Sequence, residues 1–220
     1  MHTPAAAHNS RSLAVSANPQ GQPQLQSDIE LLSQTLDAVI ADLAGETAFC
    51  ELVTIRRLAA ERRQGTPDAE RRLATAIAEL TEPSARNVAR ALGIFFDLAN
   101  IAEDLQRIRV LRDRERQQAP LPLSESLAAA ICELREAGRS ADDVQRAIEQ
   151  LSIELVFTAH PSEAKRRSIR SKLRRLRSSL AALDRPDLLP RERDQILAAI
   201  AAELRVLWQT QFLKLQKPSV

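Results

Sequence analysis

Tyrosine is absent from this 220-residue chain, and aromatic residues of any kind make up only 3% of it. Glycine is scarce too, at five residues. Both shortages argue against a sheet-rich fold, because strands draw on aromatic and β-branched residues and their tight turns on glycine. Two cysteines, Cys50 and Cys132, are too few and too distant for a disulfide framework or a metal knuckle. That suits a reducing cytoplasm and predicts two buried thiols. No run of about 18 apolar residues occurs, so a membrane-spanning helix is not expected, and the first residues lack the continuous apolar stretch of a secretory signal. An excess of one charge is missing as well: 31 Lys and Arg stand against 29 Asp and Glu, a formal net charge of +2. Such a balance gives no chain-wide field toward polyanions, and without interleaved aromatics there is no stacking platform for bases. Neither a nucleic-acid partner nor a membrane is therefore expected.

What remains is a composition rich in Ala, Leu, Arg and Glu, the residues that lose least on entering a helix. The chain reads as mainly α. Residues 1–27, rich in Ser, Gln, Pro and Ala, read as a disordered lead-in. From Asp28 the apolar residues Ile29, Leu32, Leu36, Val39, Ile40 and Leu43 recur at helical spacing up to Gly45. Further helices are predicted over 46–64 and over 66–80, the latter with Pro67 in its first turn. The longest helical stretch is predicted over 84–116, with Phe95, Phe96 and Leu98 on its apolar side and a solvent-facing second half. Two short helices follow, over 124–137 and from Ser140 to Gln150. Residues 28–150 thus form an N-terminal helical region.

The region 151–220 opens differently. Ile153-Glu154-Leu155-Val156-Phe157-Thr158 is β-branched and aromatic, and it predicts one buried strand, the only one in the chain. A lone strand leaves its backbone groups unpaired and must find neighbours, yet the sequence supplies none. The strand runs into Ala159-His160-Pro161. Proline bars His160 from the helical region and so sets the imidazole at a defined angle at the strand tip, where parallel barrels build their chemistry. A histidine titrating near neutrality can give or take a proton there, although a lone histidine is more often structural. Helices are predicted over 162–183 and 190–214. The first carries eight basic residues between Lys165 and Arg177, behind an apolar stripe of Ile169, Leu173, Leu176, Leu180 and Leu183. Three uses of that basic face are open: plain solvation, a nucleic-acid or membrane surface, or an anion site at the helix N-terminus around Arg166 and Arg167.

The segment Val156-Phe157-Thr158-Ala159-His160-Pro161-Ser162, followed by Arg166-Arg167-Ser168, resembles the signature of the phosphoenolpyruvate carboxylases. Leu98-Ala99-Asn100-Ile101-Ala102-Glu103 with Arg107-Ile108-Arg109 resembles a second family segment. Leu207-Trp208-Gln209-Thr210 with Lys217-Pro218-Ser219-Val220 resembles a third. The likeness covers about 28–220. Ser162 stands where the family has Thr, Phe157 where it has an aliphatic residue, and Gln106 where many members have His.

The resemblance implies an enzyme that joins bicarbonate to phosphoenolpyruvate, giving oxaloacetate and phosphate with Mg²⁺ or Mn²⁺, an anaplerotic fixation of carbon feeding the tricarboxylic acid cycle. It implies a cytoplasmic homotetramer and a TIM-like barrel of which 153–158 would be the first strand. His160 would be the catalytic base, and Arg166 and Arg167 would belong to a phosphate or effector site. Metal and substrate ligands are expected downstream of Val220, so the chain by itself is expected to lack activity. A shortened helical protein serving as an interaction or regulatory module is the competing expectation.

Overall fold

The structure, a computed structural model, describes residues 22–156 and 165–210. Among them every regular element is an α-helix: α1 (Gln22–Ala44), α2 (Glu46–Arg63), α3 (Ala69–Ala78), α4 (Glu82–Gln118), α5 (Leu127–Glu136), α6 (Ala141–Glu149), α7 (Arg167–Ala182) and α8 (Pro190–Gln209). The mainly α expectation is met, with helix ends that differ in instructive ways.

α1 starts six residues earlier than expected, so the last residues of the supposed lead-in are helical. Leu25 lies four residues before Ile29, and both pack against the core, which rewards the extra turn. Asp28 does not cap the helix; it is buried within it. α3 starts at Ala69 rather than Thr66, because Thr66 accepts the Ala69 amide at 3.2 Å in a turn and Asp68 takes a left-handed φ of 59°. Elsewhere caps fall where short polar residues allow. Thr81 accepts the Ser84 amide ahead of α4, Ser126 accepts the Ala129 amide ahead of α5, and Ser140 and Asp143 form a reciprocal capping box on α6. Gly45 joins α1 to α2 at φ 87°, a conformation in which a Cβ would be strained.

α1, α4, α7 and α8 pack side by side as a bundle; α2 lies against α1 and α4, and α3 against α2. One hydrophobic cluster runs through it, from Leu32, Leu36 and Ile40 of α1, through Ile94, Leu98 and Ala102 of α4, to Leu176 and Leu180 of α7 and Ile200, Leu204 and Leu207 of α8. Each Leu or Ile closed from water there contributes about 1.5–3 kcal/mol. The α7 stripe faces inward as its spacing requires: Ile169, Leu176 and Leu180 are buried, and Leu173 and Leu183 pack at its edge.

Several apolar residues do not reach the core. Phe96 is 61% exposed, because the buried face of α4 passes through Ile94, Leu98 and Ile101 and leaves position 96 on the flank. Cys50 is exposed and Cys132 partly so, contrary to the buried thiols expected: Cys50 lies off the buried face of α2 that Ala48, Leu52 and Ile55 form, and α5, which carries Cys132, adds no residue to the core cluster.

The expected strand is not formed over its described part. Ile153 to Val156 have no regular structure, and Ile153, Leu155 and Val156 are exposed. The reason is the one its isolation suggested: a strand gains its hydrogen bonds from neighbours, and no strand among the described residues lies beside it. Phe157 and Thr158 lie outside the described residues.

Candidate functional site

His160 and its neighbours through Ala164 lie outside the described residues, so the candidate site is built from what flanks them. Lys165 and Arg166 lead into α7, with Arg166 at the cap position (φ −56°, ψ 145°) and Arg167 as the first helical residue. No side chain caps this end. The free N–H groups and positive end of α7 therefore coincide with two guanidinium groups, the half-buried Arg166 and the exposed Arg167. Neither forms an ion pair among the described residues. The arrangement suits an anion.

This end of α7 is fixed by a contact that sequence reasoning overlooked. Lys165 Nζ donates to the Asp97 carboxylate of α4, whose side chain is only 10% exposed. The signal was available, since an aspartate between Phe96 and Leu98 in an apolar run demands a partner. Farther along α7 the basic face is partly neutralised by α8. Arg175 Nε lies 2.6 Å from Glu203, and Lys172 Nζ 3.9 Å from the same carboxylate.

The other two motif segments serve packing. In Leu98–Glu103, Leu98, Ile101 and Ala102 are buried while Asn100 and Glu103 are exposed. Arg109, at the end of that motif, joins three helical layers. Its Nη1 donates to buried Asp28 of α1 at 2.6 Å, and its Nε and Nη2 grip Asp184, just past α7, at 2.8 Å each. Burial alone would lower the pKa of Arg109; the hydrogen bonds to Asp184 and Asp28 outweigh it and raise the value above the ordinary one. In the third motif Trp208 is buried, its carbonyl accepting from Arg90 at 3.1 Å, with the Arg90 guanidinium 5.5 Å from its ring centre. Residues 211–220, including the Lys217–Val220 part of the motif, lie outside the described residues.

No group of three or more His, Cys, Asp or Glu that could hold a metal ion occurs among the described residues. Nor is any described helix long and apolar enough to cross a membrane.

The family model described as phosphoenolpyruvate carboxylase matches residues 25–220. The chain belongs to the phosphoenolpyruvate carboxylase family. Among curated carboxylases, that of Roseiflexus castenholzii is 39% identical over 198 residues, covering 90% of this chain and 21% of the relative. That of Pseudomonas fluorescens strain Pf0-1 is 37% identical over 196 residues, covering 89% of this chain and 22% of the relative. The carboxylase of Aeromonas salmonicida is 35% identical over 195 residues, with the same coverage. The chain spans about a fifth of the length of the curated relatives it matches. Within this family portion, the described residues of the second and third motifs help hold the bundle together.

Proposed function

We propose that this chain is the N-terminal portion of a phosphoenolpyruvate carboxylase and that it contributes a proton-transfer group, His160, to the active site of the complete enzyme. The observation carrying this reading is the family match over 25–220 together with the signature around His160. In the reaction, bicarbonate takes the phosphoryl group of phosphoenolpyruvate, giving carboxyphosphate and the enolate of pyruvate. Carboxyphosphate then breaks into CO₂ and phosphate, and the enolate attacks CO₂ to form oxaloacetate. His160 accepts the carboxyphosphate proton as that species breaks down; a base titrating near neutrality suits the step.

Arg166 and Arg167, at the open N-terminus of α7, would hold a phosphorylated effector, since guanidinium forks and free helix amides both favour phosphate. The described residues do not supply a donor set for Mg²⁺ or Mn²⁺, which demands oxygen ligands in near-octahedral order. Such an ion, when bound, would neutralise developing enolate and phosphate charge from ligands elsewhere in the enzyme. Alone, the 220 residues would be inactive. The exposed apolar run Ile153, Leu155 and Val156 favours a role inside a larger enzyme, in which neighbouring strands would cover it as the first strand of a barrel; that the enzyme would be a cytoplasmic homotetramer rests on the family resemblance alone.

The test is oxaloacetate formation, followed through coupled NADH oxidation, by a full-length carboxylase carrying this N-terminal portion. His160→Ala should lower kcat by at least about 100-fold, the ordinary contribution of a general base. Turnover retained after that change would refute the role.

A further inference from the structure

A groove of about 660 Å³ lies where α1, α2, α3 and α4 meet. Its walls combine Leu73, Leu92, Phe95 and Phe96 with three arginines, Arg56, Arg62 and Arg63. No residue of α7 or α8 lines it, so it is separate from the Arg166–Arg167 end of the bundle.

Arg56 is held in an unusual state. Its Nη1 donates to Asp37 of α1 at 2.6 Å, and its guanidinium lies 5.2 Å from the centre of the Phe95 ring. Its Nε and Nη2 are buried and have no hydrogen-bond partner among the described residues. These two nitrogens carry the parallel N–H groups of one guanidinium edge, the fork that matches a carboxylate in bidentate fashion. Asp37 and Phe95 fix the plane of the group, so the unused edge is preorganised. Buried donors are almost always satisfied, and two adjacent ones left without an acceptor mark a place where one belongs.

We infer that this groove binds a small organic monoanion with a carboxylate at one end and an apolar or aromatic body. The carboxylate sits on the Nε and Nη2 edge of Arg56, and the body lies against Phe96, Leu73 and Leu92. Charge selects the class. Asp37 already balances Arg56, and Arg62 lies 3.4 Å from Glu70, leaving the exposed Arg63 as the cation with no ion pair among the described residues. One surplus positive charge suits a monoanion better than a phosphate dianion, and the apolar wall, to which Ile55 and Ala59 also belong, suits a carbon body. Both Arg56 nitrogens are closed to solvent as the side chains stand. Entry therefore requires the side chains around that guanidinium edge to shift, as side chains lining an open groove do quickly.

The probe is 4-phenylbutyrate, titrated into the ¹⁵N-labelled chain and followed by NMR, including the Arg56 Nε–H signal. Saturable shifts are expected at Arg56 and at the amides of Leu92, Phe95 and Phe96, with no saturation by the neutral analogue 4-phenylbutanol. Arg56→Lys keeps the charge and the reach to Asp37 but lacks the fork, and should weaken binding by at least about tenfold. Phe96→Ala removes an exposed wall and should weaken binding while leaving the melting temperature in place. Should Arg56→Lys fail to fold, Phe96→Ala and the alcohol decide alone. Absence of saturable shifts, equal binding of the alcohol, or unchanged affinity in either folded variant would overturn the site.

Discussion

Replacing Arg109 by Met should be the most damaging single change on the polar side of the bundle. The side chain of Arg109 is 17% exposed and that of Asp28 only 7%, and Arg109 is the sole cation paired with Asp28 among the described residues. Removing it leaves a carboxylate inside α1 with only Gln24, 3.4 Å away, to stabilise its charge. An uncompensated buried charge of this kind costs about 3–5 kcal/mol. Asp184, at 36% exposed, regains water when released, so its share is under about 1 kcal/mol. Against the ~5–15 kcal/mol that holds a typical domain together, the loss is large. It corresponds to a drop of roughly 6–20 °C in Tm for a chain of this length.

The assay is urea or thermal unfolding followed by circular dichroism at 222 nm, with Asp184→Ala and the double variant Asp28→Asn with Arg109→Met run beside it. Asp184→Ala should cost far less than Arg109→Met. The double variant should recover at least about half of the loss, since the stranded charge is gone. A loss below about 1 kcal/mol for Arg109→Met, or a double variant as unstable as the single, would refute the reasoning.

Two further outcomes follow from burial and capping. Leu176→Ala, in the closed core of α7, should cost about 2–5 kcal/mol, whereas Leu127→Ala, at a residue 88% exposed, should stay within about 0.5 kcal/mol in the same unfolding assay. Equal losses would show the core assignment to be wrong. The backbone N–H of Ser140, then its hydroxyl and then Arg146, hold the Asp143 carboxyl below the ordinary value of 3.8. A depressed folded pKa stabilises α6 above that ordinary value, and the contribution is lost as pH falls through the lowered one. Amide protection factors in α6, corrected for the intrinsic pH dependence of exchange, should therefore fall as pH drops below the ordinary value of 3.8, and Asp143→Ala should show low protection throughout; protection insensitive to acid would contradict the capping box.

Much of the bundle was legible in the sequence because helices announce themselves locally. The stripe Ile169, Leu173, Leu176, Leu180, Leu183 fixes which side of α7 is buried before any partner is known, and Ser140, which caps α6, sits at the start expected for that helix. Boundaries were less legible: nothing local announces that α1 reaches back to Gln22, since the reward is contact of Leu25 with a core assembled from elsewhere. Of the candidate site, the motif and its arginine pair could be read directly. That Asp97 needs a partner could be read as well, but not that the partner is Lys165, because the two are 68 residues apart and only folding brings them together.

The sequence by itself determined the helical class, the inward face of most helices and membership of a carboxylase family, all of which rest on periodicity, composition and short motifs. Only the tertiary structure decided what the charges in those motifs do. Arg109 could have been a surface or substrate-binding arginine; its place between Asp28 and Asp184 makes it a clamp on three segments. The same holds for Ile153–Val156, whose pattern says strand but which has no regular structure and no strand beside it among the described residues, because strand formation depends on neighbours that composition cannot supply.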